Sequence, residues 1–187
     1  MKQYIAIICG LLLPLTIFSQ HTISGQVVLP NATGVCDVLV TLRDAGGQTL
    51  DQEVTPTSGL FSFENLTDGA DYTLHFSKDD IAINGASTFD LVLIARHILG
   101  ISSLSQYGIW AADVNNSSTV TTLDMIQERR VILGIQQTFP GVEWAFGEAD
   151  ETFPGGQIDV PNLNADIDLD VIGVKRGDVN DSAVICD

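Results

Sequence analysis

Apolar and polar residues alternate in short bursts from Ile23 to Ser77. Ile23-Ser-Gly-Gln-Val-Val and Val38-Leu-Val-Thr-Leu either alternate or run β-branched, Asp44-Ala-Gly-Gly marks a turn, and Leu60-Phe-Ser-Phe and Tyr72-Thr-Leu-His-Phe follow. Strand signals about every ten residues, without helical periodicity, predict a small antiparallel β-sandwich over residues 21–77.

The period changes in residues 78–137. Leu91, Ile94, Ala95 and Ile98 fall at helical spacing behind a capping Ser87 or Thr88, and Gly100 stands where a helix ends in a left-handed turn. A second helix is predicted from about Thr122 to Leu133, stopped in the same way by Gly134. Met125, Ile126, Val131 and Ile132 are its apolar set, and Gln127, Glu128, Arg129 and Arg130 make it more amphipathic than the first. Helices this short cannot bury a core separately, so they are expected to pack antiparallel on each other. Leu91, Val92, Leu93 and Ile94 run consecutively, which favours extensive burial of the first helix.

Residues 138–187 give a weaker pattern. Phe139-Pro-Gly-Val-Glu-Trp-Ala-Phe suggests a strand, and Val171-Ile-Gly-Val-Lys a short apolar strand or linker. Phe153-Pro-Gly-Gly and Pro161-Asn-Leu-Asn-Ala-Asp have the composition of acidic loops. This stretch is expected to be an acidic C-terminal segment with short strands. At the other end, residues 1–20 carry Lys2, an apolar run from Tyr4 to Phe18 and then Ser19-Gln20. They resemble a secretory signal peptide, too short to span a membrane comfortably, and no other stretch reaches the ~18 apolar residues a membrane helix needs.

Charge narrows the partners. Setting Lys2 aside leaves seven Lys and Arg against 24 Asp and Glu, a formal charge of about −17. Nucleic acid is excluded as a partner, because phosphate contact needs clustered Lys and Arg. A chain this acidic repels itself unless cations neutralise part of the charge. Beyond the leader only Cys36 and Cys186 remain, and in an exported protein such a pair is read as a disulfide, with two unpaired buried thiols as the alternative.

The most specific chemistry lies in residues 113–124, Asp-Val-Asn-Asn-Ser-Ser-Thr-Val-Thr-Thr-Leu-Asp. Oxygen-bearing side chains occupy positions one, three, five, nine and twelve of this twelve-residue loop, the layout of a calcium (Ca2+) site. Asp113, Asn115 and Ser117 are assigned as side-chain ligands and Thr119 as a carbonyl ligand. Thr121 binds directly or through water, and Asp124 closes the site from the first turn of the helix. A copy lies 34 residues upstream: Asp79, Ser87, Thr88, Asp90, Arg96, Ile98, Leu99, Gly100 and Ile101 recur as Asp113, Thr121, Thr122, Asp124, Arg130, Ile132, Leu133, Gly134 and Ile135. There, positions three and five are Ile81 and Ile83, which cannot ligate a cation. Asp79, the Gly85 carbonyl, Ser87 and Asp90 remain as a weaker site, which Asp80 and Asn84 could supplement through altered loop geometry. A third fragment, Asp178, Asn180 and Ser182, repeats the opening of the complete loop. It is either an ordinary turn or the completion of a site whose other ligands come from elsewhere in the fold.

Two family resemblances follow from these residues. Ser24-Gly25-Gln26-Val27, Gly59-Leu60-Phe61-Ser62-Phe63 with Leu66 and Gly69, and Tyr72-Thr73-Leu74 resemble the prealbumin-like modules of bacterial surface proteins and carboxypeptidase accessory domains, of the carboxypeptidase regulatory-like and CNA-B-like kind. That resemblance implies a rigid spacer or adhesive stalk unit. The duplicated loop and helix, with Asp at position twelve and a terminal Leu-Gly-Ile, resemble the dockerin family. Dockerins are exported calcium-binding modules that usually dock onto cohesin domains in polysaccharide-degrading or other cell-surface complexes. The first copy spans Asp79–Ile101 and the second Asp113–Ile135. The glycine usual at position six is Ser118, and the hydroxylic pair usual before the last aspartate is replaced by Thr88-Phe89 and Thr122-Leu123. A familiar cohesin interface is therefore not assumed. Thr88, Phe89, Thr122, Leu123, Arg129 and Arg130 are the candidate partner-binding residues.

The expected fold class is α+β and multi-domain: a small antiparallel β-sandwich followed by a dockerin-like pair of calcium loop-helix units. Its divisions are 1–20, 21–77, 78–137 and 138–187. The expected function is a non-catalytic, calcium-binding interaction module, secreted or on the cell surface, docking onto a cohesin-like or other cell-surface partner. The alternative is a structural stalk or adhesion module whose helix pair packs on its own sandwich. A small polysaccharide hydrolase is third. Carboxylate pairs are inevitable in so acidic a chain, and no His-x-x-x-His, Cys-x-x-Cys or nucleophile-elbow pattern accompanies His21, His75 or His97.

Overall fold

The computed structural model describes residues 20–186, so the leader assigned to residues 1–20 lies outside the described residues but for Gln20. The first five strands are β1 (Gln20–Val28), β2 (Leu39–Asp44), β3 (Thr49–Val54), β4 (Leu60–Thr67) and β5 (Tyr72–Ser77). Three helices follow, α1 (Thr88–Ile98), α2 (Gln106–Ala112) and α3 (Thr122–Ile132), and then β6 (Trp144–Gly147), β7 (Gln157–Val160) and β8 (Ile167–Lys175). The strands form two four-stranded sheets, ordered β4-β1-β8-β6 and β3-β2-β5-β7.

This arrangement corrects the domain division. The sandwich is not complete at residue 77: β6, β7 and β8, from the segment expected to be an acidic tail, join both sheets. The helical unit is an insertion between β5 and β6. Nor is the sandwich wholly antiparallel, since β8 runs parallel to β1 from the Ile23–Ile167 pair to the Val28–Ile172 pair. A parallel partner requires a long crossover, and here the crossover contains the entire helical unit.

The core is built from the inward positions of both sheets. Ile23, Val27, Phe61 and Phe63 of one face Val40, Leu42, Leu74 and Phe76 of the other, with Trp144, Phe146 and Val171 added from the late strands. Phe76 bridges the early and late strands, with its ring centroid 5.8 Å from Phe61 and 6.2 Å from Phe146. Gly25 is required for this packing, because a Cβ there would lie 2.4 Å from the Leu169 carbonyl oxygen and 2.6 Å from the Phe61 ring.

Strand β8 explains its own unusual sequence. Its first half alternates between exposed and half-buried residues, but residues 171–175 are buried throughout. Val171 points into the sandwich core, whereas Ile172 and Val174 meet Trp110 and Ala111 of α2 together with Ala145. A strand covered on both faces reads as a continuous apolar run. Trp110 is fully buried there, and its indole N–H donates to the Thr152 carbonyl at 2.9 Å.

Both predicted repeat helices form where their caps place them. Ser87 and Thr121 are N-caps in reciprocal capping boxes with Asp90 and Asp124. Gly100 and Gly134 both have φ 68°, the left-handed exit that favours glycine. The extensive burial expected of α1 does not occur: Ile94 is fully buried, Leu91 and Leu93 are half-buried, and Val92 faces solvent.

Candidate metal centre

Residues 113–118 curl around the Asp113 carboxylate. Its Oδ1 accepts from the Ser117 amide and its Oδ2 from the Ser118 amide, both at 2.9 Å. The turn needs left-handed backbone at Asn116 (φ 56°) and Ser118 (φ 61°). The Ser117 hydroxyl donates to the Thr119 carbonyl at 3.1 Å. At the far end, Asp124 Oδ2 accepts from the Thr121 amide at 2.9 Å and from its hydroxyl at 3.1 Å. Asp113 and Asp124 are both buried, yet Asp124 Oδ1 and Asn115 Oδ1 have no hydrogen-bond partner. Buried oxygen acceptors without donors are costly unless something positive meets them. The front of the loop joins Asp113, Ser117 and Thr119 and its back joins Thr121 and Asp124, with Asn115 between them; oxygen donors of these kinds suit a hard cation such as calcium.

The upstream loop is arranged differently. Asp79 is exposed, and Asp80 is occupied elsewhere, its Oδ2 accepting from Asn84 at 2.9 Å and from the Trp144 indole at 3.2 Å. Asn84 also donates to the Val184 carbonyl and accepts from the Val184 amide, so it anchors the tail. Ile81 and Ile83 are exposed. Only the back half of this loop, Gly85 to Asp90, keeps the arrangement of its sibling: Asp90 Oδ2 accepts from the Ser87 amide at 2.9 Å and from its hydroxyl at 2.6 Å.

Asp178, Asn180 and Ser182 are carried into this same region by the chain leaving β8. The Val179 amide donates to Asp90 Oδ1 at 2.9 Å, and the Ser182 hydroxyl donates to the Gly85 carbonyl at 3.1 Å. A Cβ on Gly85, whose φ is +79°, would lie 2.7 Å from the Asp178 carboxylate carbon.

Three buried charged residues that pattern reading did not select lie around these loops. Glu128 is fully buried one turn after Asp124, and neither carboxylate oxygen has a partner. Burial, followed by the nearby Asp90, Asp124 and Asp178, pushes its pKa up to about 9. Burial also raises Asp90, against the opposing hydrogen bonds from Ser87. Arg176, equally buried, donates to the Asp113 carbonyl and, at 2.6 Å, to Asn116 Oδ1. Lys175 lies 3.4 Å from Glu143 and 5.5 Å from the centroid of the Phe139 ring. A charged residue after an apolar strand gave no sign of burial, because only the fold brings the helical insert over it. Among the described residues no three His, Cys, Asp or Glu side chains form a ready metal-binding group. The donors here are a mixture of carboxylate, amide, hydroxyl and carbonyl oxygen.

Cys36 and Cys186 are joined, with Cα atoms 5.9 Å apart, closing a span of 150 residues. The candidate partner residues lie on the outer side of α1 and α3. Phe89, Leu123, Arg129 and Arg130 are exposed there, and Thr88, Thr122 and Arg129 line a shallow groove with Leu91, Met125 and Ile126. His75 lies on β5, its pKa lowered by burial and by Arg43. His97 Nδ1 faces the Leu104 amide at 3.2 Å, which holds the exit of α1.

No family model matches this chain, and neither does any curated protein. Among solved structures, the chain is similar to BcpA, the major pilin subunit of Bacillus cereus, with 11% identity and a TM-score of 0.40, over 84% of this chain and 30% of that one. It is also similar to a variant of the pilus-presented adhesin Spy0125 (Cpa), with 7% identity and a TM-score of 0.33, over 84% of this chain and 28% of that one. The chain thus spans under a third of either structure.

Proposed function

We propose that this protein is an exported, non-catalytic structural or adhesion module of the cell surface, in which a calcium-organised helical insert is locked onto its own β-sandwich. The observation that carries this reading is the course of the chain from Lys175 to Asp178. The last residue of β8 enters the helical unit directly, Arg176 holds the Asp113 loop, the Gly177 amide donates to the Ala111 carbonyl at 2.8 Å, and the Val179 amide reaches Asp90. A module built to be detached and docked by itself would not share a strand end with its neighbour. The disulfide supports export, since such bonds persist in oxidising compartments.

Calcium's role in this proposal is to neutralise the buried carboxylates and hold the two loops closed. A cation that binds only the folded state at ~100 times its dissociation constant stabilises it by about 2.7 kcal/mol. The test uses the two tryptophans, Trp110 in the insert and Trp144 in the sandwich. With calcium, both are expected to report one cooperative thermal transition, at a Tm that chelator lowers by several degrees. Separate transitions would sink the integral module, and a Tm indifferent to chelator would sink the metal.

A second reading, dockerin-like docking onto a cohesin-type or other cell-surface partner in a polysaccharide-degrading assembly, is favoured by one observation. Phe89, Val92, Leu99 and Ile101 are exposed, and so are their repeat counterparts Leu123, Ile126, Leu133 and Ile135. An apolar face preserved twice suits an interface. Calcium-dependent binding to purified cohesin-type domains, lost in Phe89→Asp with Leu123→Asp, is the result this reading expects.

A further inference from the structure

The upstream loop has isoleucine where its sibling has Asn115 and Ser117, and its own Asp79 is exposed. We infer that Asp178, Asn180 and Ser182 are the front half of that loop, supplied from the far end of the chain. A second calcium-class cation is then held jointly by the C-terminal segment and by Gly85, Ser87 and Asp90 at the start of α1.

The two arrangements correspond closely. Asp178 Oδ1 and Oδ2 accept from the Ser182 and Ala183 amides at 2.8 Å, as Asp113 accepts from Ser117 and Ser118. The Ser182 hydroxyl donates to the Gly85 carbonyl at 3.1 Å, and the Ser117 hydroxyl to the Thr119 carbonyl at the same distance. Asp181 has φ 55° where Asn116 has 56°. Gly85 and Thr119 both occupy position seven, the carbonyl ligand of such a loop. Asp90 closes one arrangement and Asp124 the other, each bonded to its own cap.

These turns alone would be satisfied polar structure. The feature that points to a ligand is Glu128, which is 0% exposed and has no hydrogen-bond partner on either oxygen. It stands among Asp90, Asp124 and Asp178, all buried. Four buried acidic groups within electrostatic reach of one another, one of them bonded to nothing, are costly to ionise in low dielectric unless positive charge joins them. On the Asp113 side Arg176 supplies some of that charge, with a guanidinium nitrogen 3.9 Å from Asp113 Oδ2. The side formed by Asp90, Asp178 and Glu128 has Lys175 only as a more distant influence. A divalent ion there offsets the repulsion and fastens the tail eight residues before its disulfide at Cys186.

This inference rests on the calcium reading proposed above, and calorimetric titration of the exported chain separates the two. Two calcium ions per chain are expected. Asp178→Asn removes one, Asp113→Asn removes the other, and Asp79→Asn leaves both. A single ion that is lost in Asp113→Asn but kept in Asp178→Asn overturns the shared site and leaves the 113–124 loop standing. Loss of one ion in Asp79→Asn but none in Asp178→Asn also overturns it. No binding at all defeats the calcium reading itself, and the inference with it. Should Asp178→Asn fail to fold, Asn180→Ala decides, since Asn180 is exposed. It is expected to weaken one of the two ions at least tenfold, and unchanged affinity for both overturns the proposal. As a readout independent of stoichiometry, calcium added to Asp113→Asn is expected to slow amide exchange at Val179, Ser182 and Ala183.

Discussion

The two loop-helix units are alike at their helices and unlike in where their loops come from. In the downstream unit one continuous stretch, residues 113–124, bends around Asp113 and runs on to the capping box at Asp124. In the upstream unit the same hydrogen bonds are made by two stretches, 178–183 and 85–90, far apart in sequence. A loop formed from one stretch can close without the rest of the fold, while a loop formed from two pays a further entropic cost and closes only after β8 has found its sheet. The repeat with Ile81 and Ile83 at positions three and five is the joint between insert, sandwich and tail.

That contrast can be broken at several points. The largest effect is expected from the disulfide: Cys36→Ser with Cys186→Ser removes a cross-link worth on the order of 4–5 kcal/mol in the chain-entropy model, read from denaturant midpoints with and without reductant. The same variant is expected to weaken the ion at Asp178 while leaving the one at Asp113 nearly unchanged, and equal weakening of both would erase the distinction between the loops. Next is Glu128. With chelator present, its carboxyl binds a proton more tightly in the folded chain, at about 9, than a free glutamate does at its ordinary 4.5. Over that window the folded state holds more protons, so stability falls as pH rises, by up to about 1.4 kcal/mol per pH unit. Glu128→Gln is expected to flatten the slope, and an unchanged slope would mean that another group carries it.

A smaller effect separates the two position-seven residues. Gly85→Ala meets Asp178 and strains a positive φ, with an expected cost of roughly 1–3 kcal/mol, whereas Thr119→Ala should stay within roughly 0.5 kcal/mol. Chemical denaturation of the calcium-loaded variants compares them. Smallest, Ser87→Ala and Thr121→Ala are each expected to cost about 1 kcal/mol, because the helix caps are local and equivalent in both units. A large disparity between them would mean that the caps also hold the ion unequally.

Features decided within a few residues were legible in the sequence. The capping residues, the left-handed glycines and the spacing of oxygen-bearing residues in 113–124 depend on neighbours along the chain, and the helices begin and end at those signals. Strands β1, β2, β4 and β5 were legible for the same reason, as alternating or β-branched runs, whereas β3, exposed along nearly its whole length, gave no such pattern. Helix α2 was missed because seven residues, Gln106–Ala112, are too few to show a period. Strand β8 was ambiguous because its second half is covered on both faces, and β7 because Asp159 and its neighbours look like loop when read without a partner strand.

The sequence by itself determined two helices with matching ends, one continuous oxygen-rich loop, and a pair of cysteines able to bond. Only the tertiary structure decided that the acidic end of the chain completes the sandwich, that Arg176 and Glu128 are buried, and that Asp178 lies beside Asp90. The physical reason is that capping and spacing act through covalently adjacent residues. Burial and charge proximity between residues ninety positions apart exist only once β8 is paired beside β1.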